Sequence, residues 1–167
     1  GRQLAEEVLR VLAQEMGAAV PAVLEVRTAE VRLPFQSIPE EGDLAELVHG
    51  EGVTAEWAAT LLARGIRPNA KLTLQYLRIA EDVALLAMNG EIVSGYGDFI
   101  IDAFGGSVLP LGYSNGMIGY VPTAAQIAEG GYEADDSHRF FALPGKFSPE
   151  IERLIEERTQ ARKAKNW

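Results

Sequence analysis

The sequence predicts an α/β fold: a mixed sheet with a βαβ unit, strands at about 83–88 and 108–113, and flanking helices. Three observations carry this. Val83 to Met88 is an uninterrupted apolar run, short enough to be a strand buried on both faces. Asn89-Gly90 breaks it, and Ile92, Tyr96, Phe99, Ile100, Ala103 and Phe104 then recur at helical spacing until Gly105-Gly106 stops the pattern. Val108 to Tyr113 is a second short strand despite Pro110. Strand, helix and strand with brief joints predict parallel strands and a right-handed crossover. Glu91 and the stretch Ser114 to Tyr120 then follow the carboxyl ends of those strands, the edge where open α/β sheets bind ligands.

The remaining elements follow in order. Leu4, Val8, Val11 and Leu12 form the apolar stripe of a first helix, opposite Glu6, Glu7 and Arg10, and the spacing predicts that this stripe is buried, with Gly17 ending the helix. Ala22 to Phe35 alternates in two registers, Leu24 and Val26, then Val31, Leu33 and Phe35, which predicts a bulge or a kink near Ala29. A short helix is expected from Asp43 to Val48. A second starts at Thr54 as N-cap, with Trp57, Leu61 and Leu62 facing the core. Lys71 to Ile79 alternates with Leu72, Leu74 and Tyr76 on one face, and Ala80-Glu81-Asp82 joins it to Val83 in an antiparallel hairpin. Pro122-Thr123 introduces a short helix, Ala124 to Ala128, closed by Gly130-Gly131. Asp135 to Ala142 reads as a polar loop. Ser148-Pro149-Glu150 starts a last helix with Ile151, Leu154 and Ile155 on its apolar side and a fraying charged tail from Arg158 to Lys165.

With 167 residues the chain is one domain or a fragment of one, spanning 1–167. Its 24 acidic and 15 basic residues give a net charge of -9, which argues against a nucleic-acid partner, since that would demand a basic stripe, and against docking on an anionic membrane by charge alone. No apolar run has transmembrane length. No cysteine is present, so thiolate metal sites, cysteine nucleophiles and disulfides are excluded. GRQLAEEVLR lies inside an amphipathic pattern, with neither an initiator methionine nor a signal peptide before it, so the chain is expected to begin inside a longer unit.

Several residues are candidates for chemistry. Glu91, at the carboxyl rim of a buried strand, suits a metal ligand or general base, or else complements the dipole in the first turn of the next helix. Tyr120 and Tyr132 read on their own as packing aromatics whose hydroxyls find acceptors. Ser114-Asn115-Gly116 is explained by turn chemistry. Gly95-Tyr96-Gly97 lacks the third glycine and downstream acid of a dinucleotide-binding turn. His49 and His138 stand in polar stretches expected to be solvated, and Asp135, Asp136 and His138 read as an exposed loop.

Between Asn89 and Glu133, NGEI after a buried strand, then GYSNGMIGYVPT, then EGGYE, resembles the C-terminal part of the catalytic domain of the neutral (non-lysosomal) ceramidases and their bacterial relatives. Outside that stretch the resemblance is loose, and where ceramidases read G-E-F-T this chain reads Gly90-Glu91-Ile92-Val93. The resemblance implies a zinc-dependent amide hydrolase acting on a lipid amide such as ceramide, in which zinc lowers the pKa of its bound water. It implies that Glu91 and Tyr120 are zinc ligands, and that Tyr132 is a catalytic residue stabilising charge on the scissile carbonyl, with Glu133 supporting the loop. The family's histidine ligands fall upstream of Gly1, so the missing N-terminal part of the same domain is the expected partner. Zinc is expected to bind this chain alone weakly or not at all, and the isolated chain is expected to be inactive. Family members are commonly secreted or periplasmic. The competing reading is a non-catalytic binding or assembly module on the same scaffold.

Overall fold

Alternating apolar residues in two long strands give the sheet a buried face. The computed structural model describes residues 1–15, 17–18 and 21–163, the side chains of 162 and 163 excepted. β1 (Ala22–Pro34) pairs antiparallel with β2 (Asn69–Ala80), β2 pairs antiparallel with β3 (Val83–Met88), and β3 pairs parallel with β5 (Val108–Leu111), in the order β1-β2-β3-β5. The fold is therefore mixed α/β with flanking helices, and the strands of the strand–helix–strand unit run parallel. β5 ends at Leu111, two residues before the expected boundary, because Gly112 and Tyr113 turn away to meet Gly90. Pro110 is tolerated because Ser107 points its carbonyl at β3, accepting from the Ala84 N–H. Alternation then turns the nitrogen of residue 110 outward.

One face of this sheet carries the main core. Val31, Leu33, Leu72, Leu74, Leu86 and Met88 are buried against Tyr96 and Ile100 of α4 (Ser94–Ala103) and Ile151 and Ile155 of α6 (Glu150–Lys163). Each such aliphatic side chain contributes about 1.5–3 kcal/mol. Phe35 stacks on Phe147 at 5.2 Å, and the backbone of 34–36 pairs with that of 146–148, tying the entry to α6 to the end of β1. Gly145 lies so close to the Ser37 carbonyl that any side chain would collide with it. A smaller cluster, Leu44, Trp57, Ala58 and Leu61, joins α2 (Glu41–Leu47) to α3 (Val53–Arg64).

Several expectations need correction. α1 (Arg2–Leu12) ends well before Gly17, and none of its residues is buried: Leu4 and Leu12 are 70% and 73% exposed. The two registers of β1 reflect no bulge near Ala29. Pairing is continuous from Glu25 to Pro34, and the irregularity lies between Ala22 and Glu25. Leu24 and Val26 simply face the other side, where Val26, Leu77, Leu85 and Leu109 align across the strands on a face with Leu24 80% exposed. α3 is capped at Gly52, with no side-chain cap, rather than by Thr54, and Leu62 faces outward. α6 starts as expected, with Ser148 Oγ accepting from the Glu150 N–H, but it continues past Arg158 with Thr159 buried. Residues 164–167 of its tail lie outside those described.

The feature that positions the candidate site is where β3 leaves β2. The ladder runs up to Leu74 opposite Met88. Beyond it the Asn89 side chain replaces the missing backbone partner: its Oδ1 accepts from the Thr73 N–H at 2.6 Å and its Nδ2 donates to the Lys71 carbonyl at 3.3 Å. The Asn89 carbonyl is thereby free to accept from the Ile118 N–H at 2.9 Å. Truncating this amide leaves both β2 groups unpaired. Asn89→Ala is therefore expected to lower unfolding free energy by about 1–3 kcal/mol in urea titrations. A change within about 0.5 kcal/mol would show that water replaces the amide without loss.

Candidate functional site

Past Asn89 the chain enters a two-residue strand, β4 (Glu91–Ile92), which pairs in parallel with β6 (Tyr120–Val121). The pairing puts Glu91 directly beside Tyr120, and the Glu91 N–H donates to the Gly119 carbonyl at 2.9 Å. Glu91 is thus a strand residue, not a helix-capping one, since α4 begins at Ser94. The approach is close enough to require glycine. A Cβ on Gly90 would sit 3.0 Å from Val121 Cγ2 and 3.2 Å from the Gly119 carbonyl oxygen, and Gly119 has φ +117°.

Tyr113 joins this pair, and sequence reasoning missed it. Its N–H donates to the Gly90 carbonyl at 2.9 Å, in a turn where Tyr113 and Asn115 adopt φ of 52° and 63°. Positive φ at a non-glycine aromatic is strained backbone, sustained here by the contacts around it. Hydrogen bonding to the Glu91 carboxylate, with smaller contributions from desolvation and its negative charge, pushes the Tyr113 phenol up to about 12. The same carboxylate is the largest cause of an upward shift at Tyr120, followed by desolvation and nearby acidic groups. Glu91 therefore stands between two protonated phenols. The only hint in the sequence was the turn composition around Tyr113, which does not show where its ring points.

Tyr132 is brought to the same rim. Its ring meets Tyr120 edge-on at 5.8 Å and lies 5.9 Å from Phe140, while Phe141 approaches Tyr120 edge-on at 6.1 Å. Tyr132 opens a π-helical turn (Tyr132–Asp136) after Gly131, whose φ is +103°. Asp135 fastens that turn: its carboxylate accepts from the Gly131 N–H at 3.0 Å and from Lys146 Nζ at 2.6 Å, which hold it below the usual carboxylate range. Glu133 is exposed, and its carbonyl accepts from Ser137 Oγ at 2.8 Å.

The other candidates are occupied structurally. His138 is buried rather than solvated. Its Nδ1 lies 2.7 Å from the Asp135 carbonyl, its ring meets Trp57 at 5.7 Å, and burial lowers its pKa. Asp136 pairs with Arg139 at 3.0 Å. Ser114 Oγ donates to the Gly112 carbonyl and Asn115 Nδ2 to Gln75. Gly95 and Gly97 lie within α4, with Gly95 pressed against Thr123. Tyr96 is buried and donates to the Pro122 carbonyl at 3.1 Å, which anchors the segment after β6 to α4.

Glu91 and Tyr120 set a carboxylate and a phenol side by side; a carboxylate is an ordinary ligand of a four-coordinate zinc, whereas the phenol would have to give up its proton to bind one. Among the described residues no three histidines, cysteines, aspartates or glutamates form a metal-holding group. Among the same residues no helix is long and apolar enough to cross a membrane. Comparison of the chain with protein-family models, curated proteins and solved structures gives no match.

Neutralising Glu91 should release Tyr113. In Glu91→Gln, residue-resolved tyrosine titration by NMR should show the Tyr113 phenol falling from about 12 toward the ordinary value of about 10. An unmoved titration would disprove the assigned cause. The sign for stability follows: a phenol whose pKa is raised on folding contributes fully below its unfolded value of about 10, and that contribution is lost as pH rises through about 12.

Proposed function

We propose that this chain forms part of a zinc-dependent amide hydrolase resembling the neutral ceramidases, which cleaves an N-acyl sphingoid or related lipid amide. The observation that carries the reading is the Glu91–Tyr120 strand pair with Tyr132 packed against Tyr120, three residues the resemblance links, meeting beyond the carboxyl end of β3. Glu91 and Tyr120 would hold the metal from one side, with histidines from outside these 167 residues completing the shell. Zinc bound there would supply an acidified water as nucleophile.

The chain's own residues have definable roles. Glu91 presents a carboxylate flanked by two phenols, from a main chain fixed by the Glu91 N–H bond to the Gly119 carbonyl. With its ring braced by Tyr120 and Phe140, the Tyr132 hydroxyl would donate to the amide oxygen as charge develops on it. Tyr113, raised to about 12, stays protonated at neutral pH and acts as a hydrogen-bond donor that orients Glu91.

A second reading, a non-catalytic binding or assembly module, is favoured by the exposed aromatic group beside Glu91. Tyr113, Tyr132 and Phe140 are 65%, 47% and 58% exposed, as recognition surfaces often are. One measurement tests the divided ligand shell and a second separates the readings. The isolated chain should bind zinc only weakly and release no fatty acid from an N-acyl sphingoid substrate. Stoichiometric tight zinc that Glu91→Ala abolishes would contradict the proposed division of the ligand shell. In a longer protein containing this sequence and upstream histidines, Glu91→Ala and Tyr120→Phe should lower amide hydrolysis by about 100-fold or more. Undiminished turnover in both would remove Glu91 and Tyr120 from the metal site, whereas a longer protein that hydrolyses no such amide would leave the binding-module reading.

A further inference from the structure

A separate cavity of about 590 Å³ opens beside the Glu91 cluster. Arg32 of β1, Arg64 at the end of α3, Arg67 in the joint that follows α3, and Lys71 of β2 all line it. Glu30 is the one acid among the lining residues, and it is already paired with Lys71. Among the described residues none of the three arginines has an ion-pair or hydrogen-bond partner, although every other arginine drawn into an ion pair stands beside an acid on its own element or turn. In a chain of net charge -9, three unpaired guanidinium groups around one cavity run against the composition. Apart from Asn69 the rest of the lining carries no polar side chain, and Leu61, Ile118, Phe141 and Leu143 form an apolar wall. Trp57 Nε1 donates to the Leu143 carbonyl at 2.7 Å and Phe141 packs against Tyr120, which ties that wall to α3 and β6.

We propose that this cavity binds an amphiphilic organic anion, a phosphate or carboxylate attached to an apolar group. The planar arginine forks suit the oxygens of such a head, and the Leu61–Phe141 wall takes the apolar part. No residue of the Glu91–Tyr120–Tyr132 set lines the cavity, and the assignment stands whether or not that set serves hydrolysis. Arg32 and Lys71 lie opposite one another on paired strands, so the cationic side is part of the sheet, at the end where the Glu91 rim also lies.

Calorimetric titration of the full chain with dodecyl phosphate, inorganic phosphate and phosphatidylglycerol vesicles tests it. Dodecyl phosphate below its micelle concentration should bind one per chain, at least about tenfold more tightly than inorganic phosphate, and weaken as salt rises. Arg64→Gln combined with Arg67→Gln, both exposed positions, should weaken it at least about tenfold, whereas Arg153→Gln on α6 should leave it unchanged. Vesicle binding that the double variant also weakens identifies a lipid headgroup as the source, and saturable binding of the free amphiphile alone identifies a soluble one. No saturable binding, binding indifferent to the double variant, or equal affinity for inorganic phosphate would each overturn the proposal.

Discussion

The Asn89 side-chain amide lets two strands part without leaving broken hydrogen bonds behind. At Leu74 and Met88 the ladder between β2 and β3 is intact, and one residue later the chain must leave the sheet to reach Gly119. A backbone that left unaided would strand the Thr73 N–H and the Lys71 carbonyl, and the cost of two unmet groups would favour keeping the ladder. The carboxamide offers a donor and an acceptor at the spacing of a peptide group, so β2 is satisfied while the main chain turns. Everything at the rim depends on this exchange. Gly90 can then approach Val121, Glu91 can pair with Tyr120, and the Gly90 carbonyl can take the Tyr113 N–H.

Glycine completes what the amide begins. Gly90 and Gly119 meet where a methyl group would press on backbone or side-chain atoms, so three segments that are distant in sequence converge within hydrogen-bond reach. The rim is therefore built from short-range backbone contacts between turns. The strong covering interactions lie elsewhere, in the α4 and α6 layer and in the buried Tyr96 hydroxyl that holds the segment after β6. Burial and the nearby Glu152 and Glu156 carboxylates raise that phenol above its ordinary value, so it remains a donor under ordinary conditions.

The sequence made the sheet legible where periodicity was long and one face was buried. Val83 to Met88 and the alternating Leu72, Leu74 and Tyr76 gave both the hairpin and the parallel partner, since a buried face fixes register. Periodicity failed where it recorded amphipathicity alone. α1 has an apolar stripe, yet none of its residues is buried, because pattern shows which side is apolar and not what meets it. The change of phase in β1 marked a strand with apolar residues on both faces rather than a bulge. At the site, Glu91 was legible as a rim residue, but a two-residue strand has no period, so its pairing with Tyr120 was not. Tyr113 depends on a turn geometry that its residue type disfavours, and the cavity joins Arg64 and Arg67, at and just past the end of α3, to an Arg32 more than thirty residues away on β1.

Pro110 has a consequence for how this sheet can grow. Its nitrogen faces away from β3, so the outer side of β5 lacks a donor that an added strand would need. A visiting peptide could pair there only with gaps in its ladder. β1, at the opposite end of the order, has no proline between Ala22 and Leu33 and extends far beyond β5 in length. Any backbone recruitment by this sheet is accordingly polarised, with one margin interrupted by an imino acid and the other, already paired with 146–148 beside Pro34, uninterrupted by proline from Ala22 to Leu33.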